Sequence, residues 1–146
     1  MKQIILTLAV AVSSLFSYAG AENANVDSQV LNAFKNEFNA AQEVKWTESS
    51  DYYKASFIFN GQYVAAFYSH DGELMGITRY ITSLELPVKL QTSLKKNYSA
   101  YWISDLFEVS NSEGVAYYVT LENADKKIVL KSAGNSWDVY KSTEKL

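Results

Sequence analysis

Tyr53-Lys54-Ala55-Ser56-Phe57-Ile58-Phe59-Asn60-Gly61-Gln62-Tyr63-Val64-Ala65-Ala66-Phe67-Tyr68 is the stretch on which the fold turns. Tyr53, Ala55, Phe57 and Phe59 alternate with Lys54, Ser56 and Ile58, the period of a strand with two unlike faces. Asn60-Gly61 then satisfies a type I′ turn, whose two central residues need positive φ. The return strand runs from about Gln62 to Ser69. Asp71-Gly72 makes a second turn, and Glu73 to Ile81 form a further strand. Consecutive short turns of this kind produce antiparallel strands.

Upstream, Val30, Phe34, Phe38 and Ala41 fall at helical spacing, with Asn32, Lys35, Asn36 and Glu37 on the other faces. Asp27 or Ser28 suits the N-cap, and Glu43–Thr47 form a short extended piece. Downstream the plan recurs. Pro87 suits the first turn of a helix, where its missing N–H is no loss. Leu86, Leu90, Leu94 and Tyr98 mark one face, and Lys95-Lys96 complement the helix dipole near its end. Extended segments follow at about Ile103–Ser110, Val115–Glu122, Lys127–Ser132 and Ser136–Lys141. Phe38-Asn39-Ala40 matches Tyr98-Ser99-Ala100 at an offset of 60, and Tyr53-x-Ala55-x-Phe57 matches Tyr117-x-Val119-x-Leu121 at an offset of 64. The expectation is an α+β domain of two repeats, about 26–81 and 86–142. Two amphipathic helices cannot cover both faces of so many strands, so one antiparallel sheet with both helices on one face is the economical packing.

The run Val30-x3-Phe34-x3-Phe38-x2-Ala41-x2-Val44-x-Trp46, then Tyr53-x-Ala55-x-Phe57, Asp71-Gly72-Glu73-Leu74 and Leu86-Pro87-x2-Leu90-x3-Leu94-x3-Tyr98, resembles the exported PepSY-like family described as β-lactamase-inhibitor-like. The resemblance spans about Val26 to Lys141. It implies a tandem α-β repeat with a curved antiparallel sheet backed by two helices, and by analogy an inhibitory or protein-binding role. The chain lacks the cysteines expected of a secreted β-lactamase inhibitor, and no motif carries specificity for a β-lactamase. What transfers is the architecture and a general binding role.

The first residues read as an export signal. Met1-Lys2 is positive, Ile4 to Phe16 are apolar apart from small hydroxyl residues, and Ala19-Gly20-Ala21 offers the small–x–small pattern of a cleavage site before Glu22. The run is shorter than the roughly 20 apolar residues of a membrane anchor. Residues 1–21 are thus expected to be removed, leaving 22–146 as one periplasmic or secreted domain. With no cysteine in the chain, an apolar core rather than disulfides must hold it. Losing Lys2 takes the net charge from −3 to −4. No clustered basic face suits nucleic acid, and no basic amphipathic helix suits a membrane surface.

Little in the sequence points to catalysis. His70 is the single histidine. With Asp71 and Glu73 it could form a small metal or acid–base cluster, but Asp-Gly is also a plain turn signal. Zinc needs three or four ligands, and the spacing misses the calcium-loop pattern. There is no nucleophile elbow and no Gly-rich phosphate loop. Asp105 and Glu108, three apart on a strand, face opposite ways. The expectation is a non-enzymatic protein without cofactor or metal.

The excess is aromatic: 11 Tyr, 7 Phe and 3 Trp. If Tyr53, Ala55 and Phe57 face the helices, parity sends Tyr52, Lys54, Ser56 and Ile58 to the open face, and likewise Tyr118 and Thr120 opposite Tyr117, Val119 and Leu121. Tyr68 and Tyr80 are taken as their neighbours. Tyrosines interleaved with Lys and Ser resemble a recognition surface, yet Tyr is also simply a good strand residue. The leading expectation is a protein or peptide partner held on that face. The alternatives are a glycan-like ligand stacked on Tyr or on Trp46, Trp102 or Trp137, and a small hydrolase-like enzyme built around His70.

Overall fold

The computed structural model describes residues 25–146; the signal-peptide reading of residues 1–21 and the cleavage before Glu22 lie outside them. Among the described residues the protein is α+β, with eight strands in chain order and two α-helices. It divides into two compact units between Arg79 and Tyr80.

The first unit holds α1 (Ser28–Glu37), β1 (Gln42–Glu48), β2 (Tyr53–Phe59), β3 (Gln62–Tyr68) and β4 (Leu74–Tyr80) up to Arg79. Asp27 takes the N-cap position. Its carbonyl accepts from the Val30 and Leu31 amides, but its side chain makes no capping bond. Asn60 and Gly61 both adopt positive φ, 51° and 78°, as a type I′ hairpin requires. That tight turn fixes the β2–β3 register, with Tyr53 opposite Tyr68 and Ala55 opposite Ala66. At the β3–β4 turn, Gly72 has φ +87°, and a Cβ there would lie 3.2 Å from the Gln29 carbonyl oxygen at the start of α1. Only glycine suits both constraints. One face of the unit is a core of Val30, Phe34, Phe38, Tyr53, Ala55, Phe57, Ala66 and Tyr68. Phe34 is its hub, with ring centroids 5.1–6.4 Å from those of Phe57, Trp46, Phe38 and Tyr68.

The second unit holds a 3-10 turn (Ser83–Glu85), α2 (Val88–Asn97), β5 (Trp102–Asn111), β6 (Gly114–Glu122), β7 (Lys126–Ala133) and β8 (Ser136–Glu144). Thr82-x-x-Glu85 closes a capping box, the Glu85 carboxylate accepting from the Thr82 amide at 2.7 Å. Pro87 sits one residue ahead of its expected place, its carbonyl accepting from the Leu90 and Gln91 amides. Ile81, Leu86, Leu90, Leu94, Leu106, Val119, Leu121, Ile128 and Leu130 form the core, with Tyr98, Tyr101, Tyr117 and Trp137 packed around it. The Trp137 indole N–H donates to the Leu90 carbonyl at 3.1 Å, tying β8 to α2.

Candidate recognition surfaces

In the first unit, register decides which side chains look away from α1. Thr47, Lys54 and Phe67 lie across β1–β3 in one row, and Lys45, Ser56, Ala65 and Thr78 across β1–β4 in the next. Lys54 and Ser56 are on the expected face and half-buried. Tyr52, also half-buried, sets its ring edge-on to the buried Phe67 at 5.4 Å. Burial lowers the Lys54 ammonium below the usual lysine range. Among the described residues, no carboxylate forms an ion pair with it.

Tyr68 departs from expectation. It shares the face of Tyr53, is 1% exposed, and belongs to the core under α1. The hairpin register forces this, because a two-residue turn puts Tyr68 opposite the core-facing Tyr53. Burial, and then the charge of Glu37, push its hydroxyl up to about 12.

In the second unit, Tyr118 and Thr120 lie opposite the core side, as parity predicts, but they are not exposed. They retain 4% and 8% of their surface. Phe107, the register partner of Tyr118, stacks on it at 5.2 Å with 11° between the ring planes. Tyr140 meets the same ring edge-on at 5.5 Å, and the Lys131 ammonium lies 5.7 Å from its centroid. These neighbours roof Tyr118 over, and burial pushes its hydroxyl up to about 12, with Tyr140 adding to the effect. A partner on this face would meet Tyr140 and Lys131 before Tyr118. Tyr80 is 42% exposed, while its hydroxyl, desolvated and beside Asp105, is also raised to about 12. Asp105 pairs in register with Thr120, and burial raises its carboxyl despite the Leu106 amide and the charge of Lys127.

His70 is half-buried on the β3–β4 turn. Its ring lies 4.7 Å from that of Tyr53, and Nε2 is 3.2 Å from the Ser50 carbonyl oxygen. Asp71 and Glu73 beside it are exposed. Among the described residues, no group of three or more potential metal ligands occurs. Trp46 lines the first core, Trp137 flanks the second, and Trp102 is 54% exposed at the start of β5.

Phe67, expected in the core with Phe34, Phe38, Phe57 and Phe59, is buried but lies opposite Lys54 on the face away from α1. Phe107, Lys131 and Tyr140, which also shape these faces, are not picked out by the sequence. The signal for Phe67 was present in the Asn60-Gly61 register. Phe107 depends on the β5–β6 turn, Lys131 on the β6–β7 turn and Tyr140 on the bulge between β7 and β8, which composition does not set.

No family model and no curated protein matches the chain. Solved structures do. A protein from Bacteroides eggerthii described as periplasmic superposes with a TM-score of 0.74 at 17% identity, over 83% of this chain and 90% of that one. A BLIP-like protein from Bacteroides fragilis gives 0.70 at 17% identity, over 84% and 88%. A DUF2874 family protein from Bacteroides ovatus gives 0.74 at 16% identity, over 84% and 89%. The expected likeness to inhibitor-like proteins is thus met as a likeness of fold. Among the described residues, no helix is long and apolar enough to cross a membrane.

Proposed function

We propose that the chain is an exported, non-enzymatic binding module of the periplasm or extracellular space that holds a protein or peptide partner on the first unit's sheet face. The observation that carries this reading is Lys54: a half-buried ammonium with lowered proton affinity, between Thr47 and Phe67 in register, with Tyr52 over Phe67 and Ser56 two residues along. A partly desolvated cation gains most from a carboxylate brought by a partner, and Tyr52 adds ring area with a polar tip. The apolar run before Glu22 and the fold shared with a protein described as periplasmic support export. The fold shared with a BLIP-like protein supports protein binding. The element order of helix, four strands, helix, four strands supports a duplicated PepSY-like unit. The exposed Tyr140 and the half-buried Lys131 provide a second contact on the second unit, with Tyr118 beneath them.

The test is affinity capture from the native envelope fraction with wild type, Tyr52→Ala, Lys54→Gln and, as a control on the helix side of the same unit, Lys35→Gln. Partners held by wild type and the control should be lost from the Tyr52 and Lys54 variants. Equal recovery from all four ends the reading.

A further inference from the structure

Beyond the sheet faces, one cluster in the second unit has the composition of a binding site and is already filled. Trp102 and Glu122 are register partners at the ends of β5 and β6. The Lys145 ammonium lies 3.1 Å from Glu122 Oε1, 2.8 Å from the Asn123 carbonyl oxygen and 5.0 Å from the Trp102 ring centroid. A carboxylate, a carbonyl and an aromatic face are three complementary partners for a primary ammonium.

The carbonyl of the cradle is oriented by contacts that do not involve its occupant. The Asn123 side-chain oxygen accepts from the Asp125 and Lys126 amides at 2.9 and 2.8 Å, and the Asn123 amide donates to the Lys126 carbonyl at 3.0 Å. That turn fixes the direction of the Asn123 carbonyl. The Glu122 carboxyl is held below the usual range, first by the Ser104 hydroxyl and then by Lys145, with the charge of Lys127 adding to it. It is therefore ionised at neutral pH. The occupant is held by its ammonium contacts and by its own amide, which donates to the Asp125 carbonyl at 2.7 Å. More than half of the Trp102 surface remains open to solvent beside it.

We propose that Trp102, Glu122 and the Asn123 carbonyl form a recognition site for the lysine ammonium of a partner polypeptide, which Lys145 occupies in cis until it is displaced. A ligand must then compete with a tethered group, and its apparent affinity falls by the fraction of molecules in which the cradle is vacant. The site belongs to the second unit and the Lys54 surface to the first, and either reading can fail without the other.

The test uses the Trp102 indole N–H resonance, assigned by its loss in Trp102→Phe. Wild type, Lys145→Ala and Lys145→Ala/Glu122→Gln are titrated with Nα-acetyl-lysinamide and with uncharged Nα-acetyl-norleucinamide. Lys145→Ala should bind the lysine amide saturably and about tenfold or more tighter than wild type, while ignoring the norleucine amide. Adding Glu122→Gln should abolish that binding. A flat titration of Lys145→Ala, equal affinity in wild type, equal response to both amides, or indifference to Glu122→Gln would each overturn the proposal.

Discussion

The two units share an order of elements and use their aromatic residues in opposite ways. In the first, rings fill the core beneath the helix: Phe34, Phe38, Tyr53, Phe57 and Tyr68 are all buried there. In the second, the buried core is aliphatic, and the close ring pairing of Phe107, Tyr118 and Tyr140 lies away from it. A core needs volume and complementary shape, which either kind of residue supplies. Rings differ in adding edge-to-face contacts, each about 0.5–1.5 kcal/mol beyond area burial. The first unit concentrates those contacts on Phe34, whereas the second spreads its packing mainly over leucines and isoleucines. Damage should therefore be focused in one unit and diffuse in the other.

Phe34→Ala is the sharpest way to break that contrast. It removes the hub of four ring contacts and should cost about 3–5 kcal/mol in urea unfolding. Leu90→Ala, 1% exposed in the aliphatic core, should cost about 2–4 kcal/mol. If Leu90→Ala proves the more damaging, packing in the first unit does not centre on Phe34. The turn glycines sharpen the same comparison at smaller cost. Gly72→Ala combines positive φ with contact against Gln29 and should lose about 2 kcal/mol, while Gly134→Ala, also at positive φ but facing open space, should lose about 1 kcal/mol. Equal losses would mean that the approach of Gly72 to α1 carries no energy.

Much of the scaffold was legible, for local reasons. β2 runs over Tyr53–Phe59 as its alternation predicts, and Asn60-Gly61 makes the turn its chemistry demands. Val30, Phe34, Leu90 and Leu94 are buried as helical spacing requires. Three things were not read. Thr82-x-x-Glu85 carried a capping-box signature that went unused beside the louder Leu-Pro. β8 continues to Glu144, beyond the expected Lys141, because pairing with β7 rather than an apolar face holds it; Lys126 opposes Glu144. Exposure at the candidate surface was the largest gap. Parity assigns a residue to a face, so Lys54, Ser56, Tyr118 and Thr120 were placed correctly. It says nothing of what the neighbouring strands lay over that face, so the burial of Tyr118 under Tyr140 and Lys131 had no signature within β6.

Trp137→Phe tests whether a single directed bond compensates for the second unit's plainer core. It keeps a ring beside α2 and removes the donor to the Leu90 carbonyl, which should cost about 1 kcal/mol. Trp46→Phe, whose indole meets the first core through ring contacts with Phe34 and Tyr68, should lose packing area instead. Unchanged stability in Trp137→Phe would remove the bond between β8 and α2 from the account.

The smallest effects at neutral pH come from the two buried tyrosine hydroxyls, Tyr68 in the core of one unit and Tyr118 on the sheet face of the other. Among the described residues, the Tyr68 hydroxyl has no hydrogen-bond partner. Tyr68→Phe should therefore leave neutral-pH stability unchanged or raise it by up to about 1 kcal/mol, since an unsatisfied buried group is removed. Tyr118→Phe keeps the stack on Phe107 and should be near neutral at pH 7. Both hydroxyls stand at about 12 in the folded protein against an ordinary value of 10.0. The folded state thus holds the proton more tightly than the unfolded chain. Nothing is lost below pH 10.0, and stability falls as the unfolded tyrosines ionise between 10.0 and about 12. Replacing either by Phe should shallow that alkaline decline, measured by urea unfolding at successive pH values. A decline unaltered in Tyr118→Phe but shallower in Tyr68→Phe would mean that the sheet-face ring is solvated in solution, and that the two units differ in burial as well as in composition.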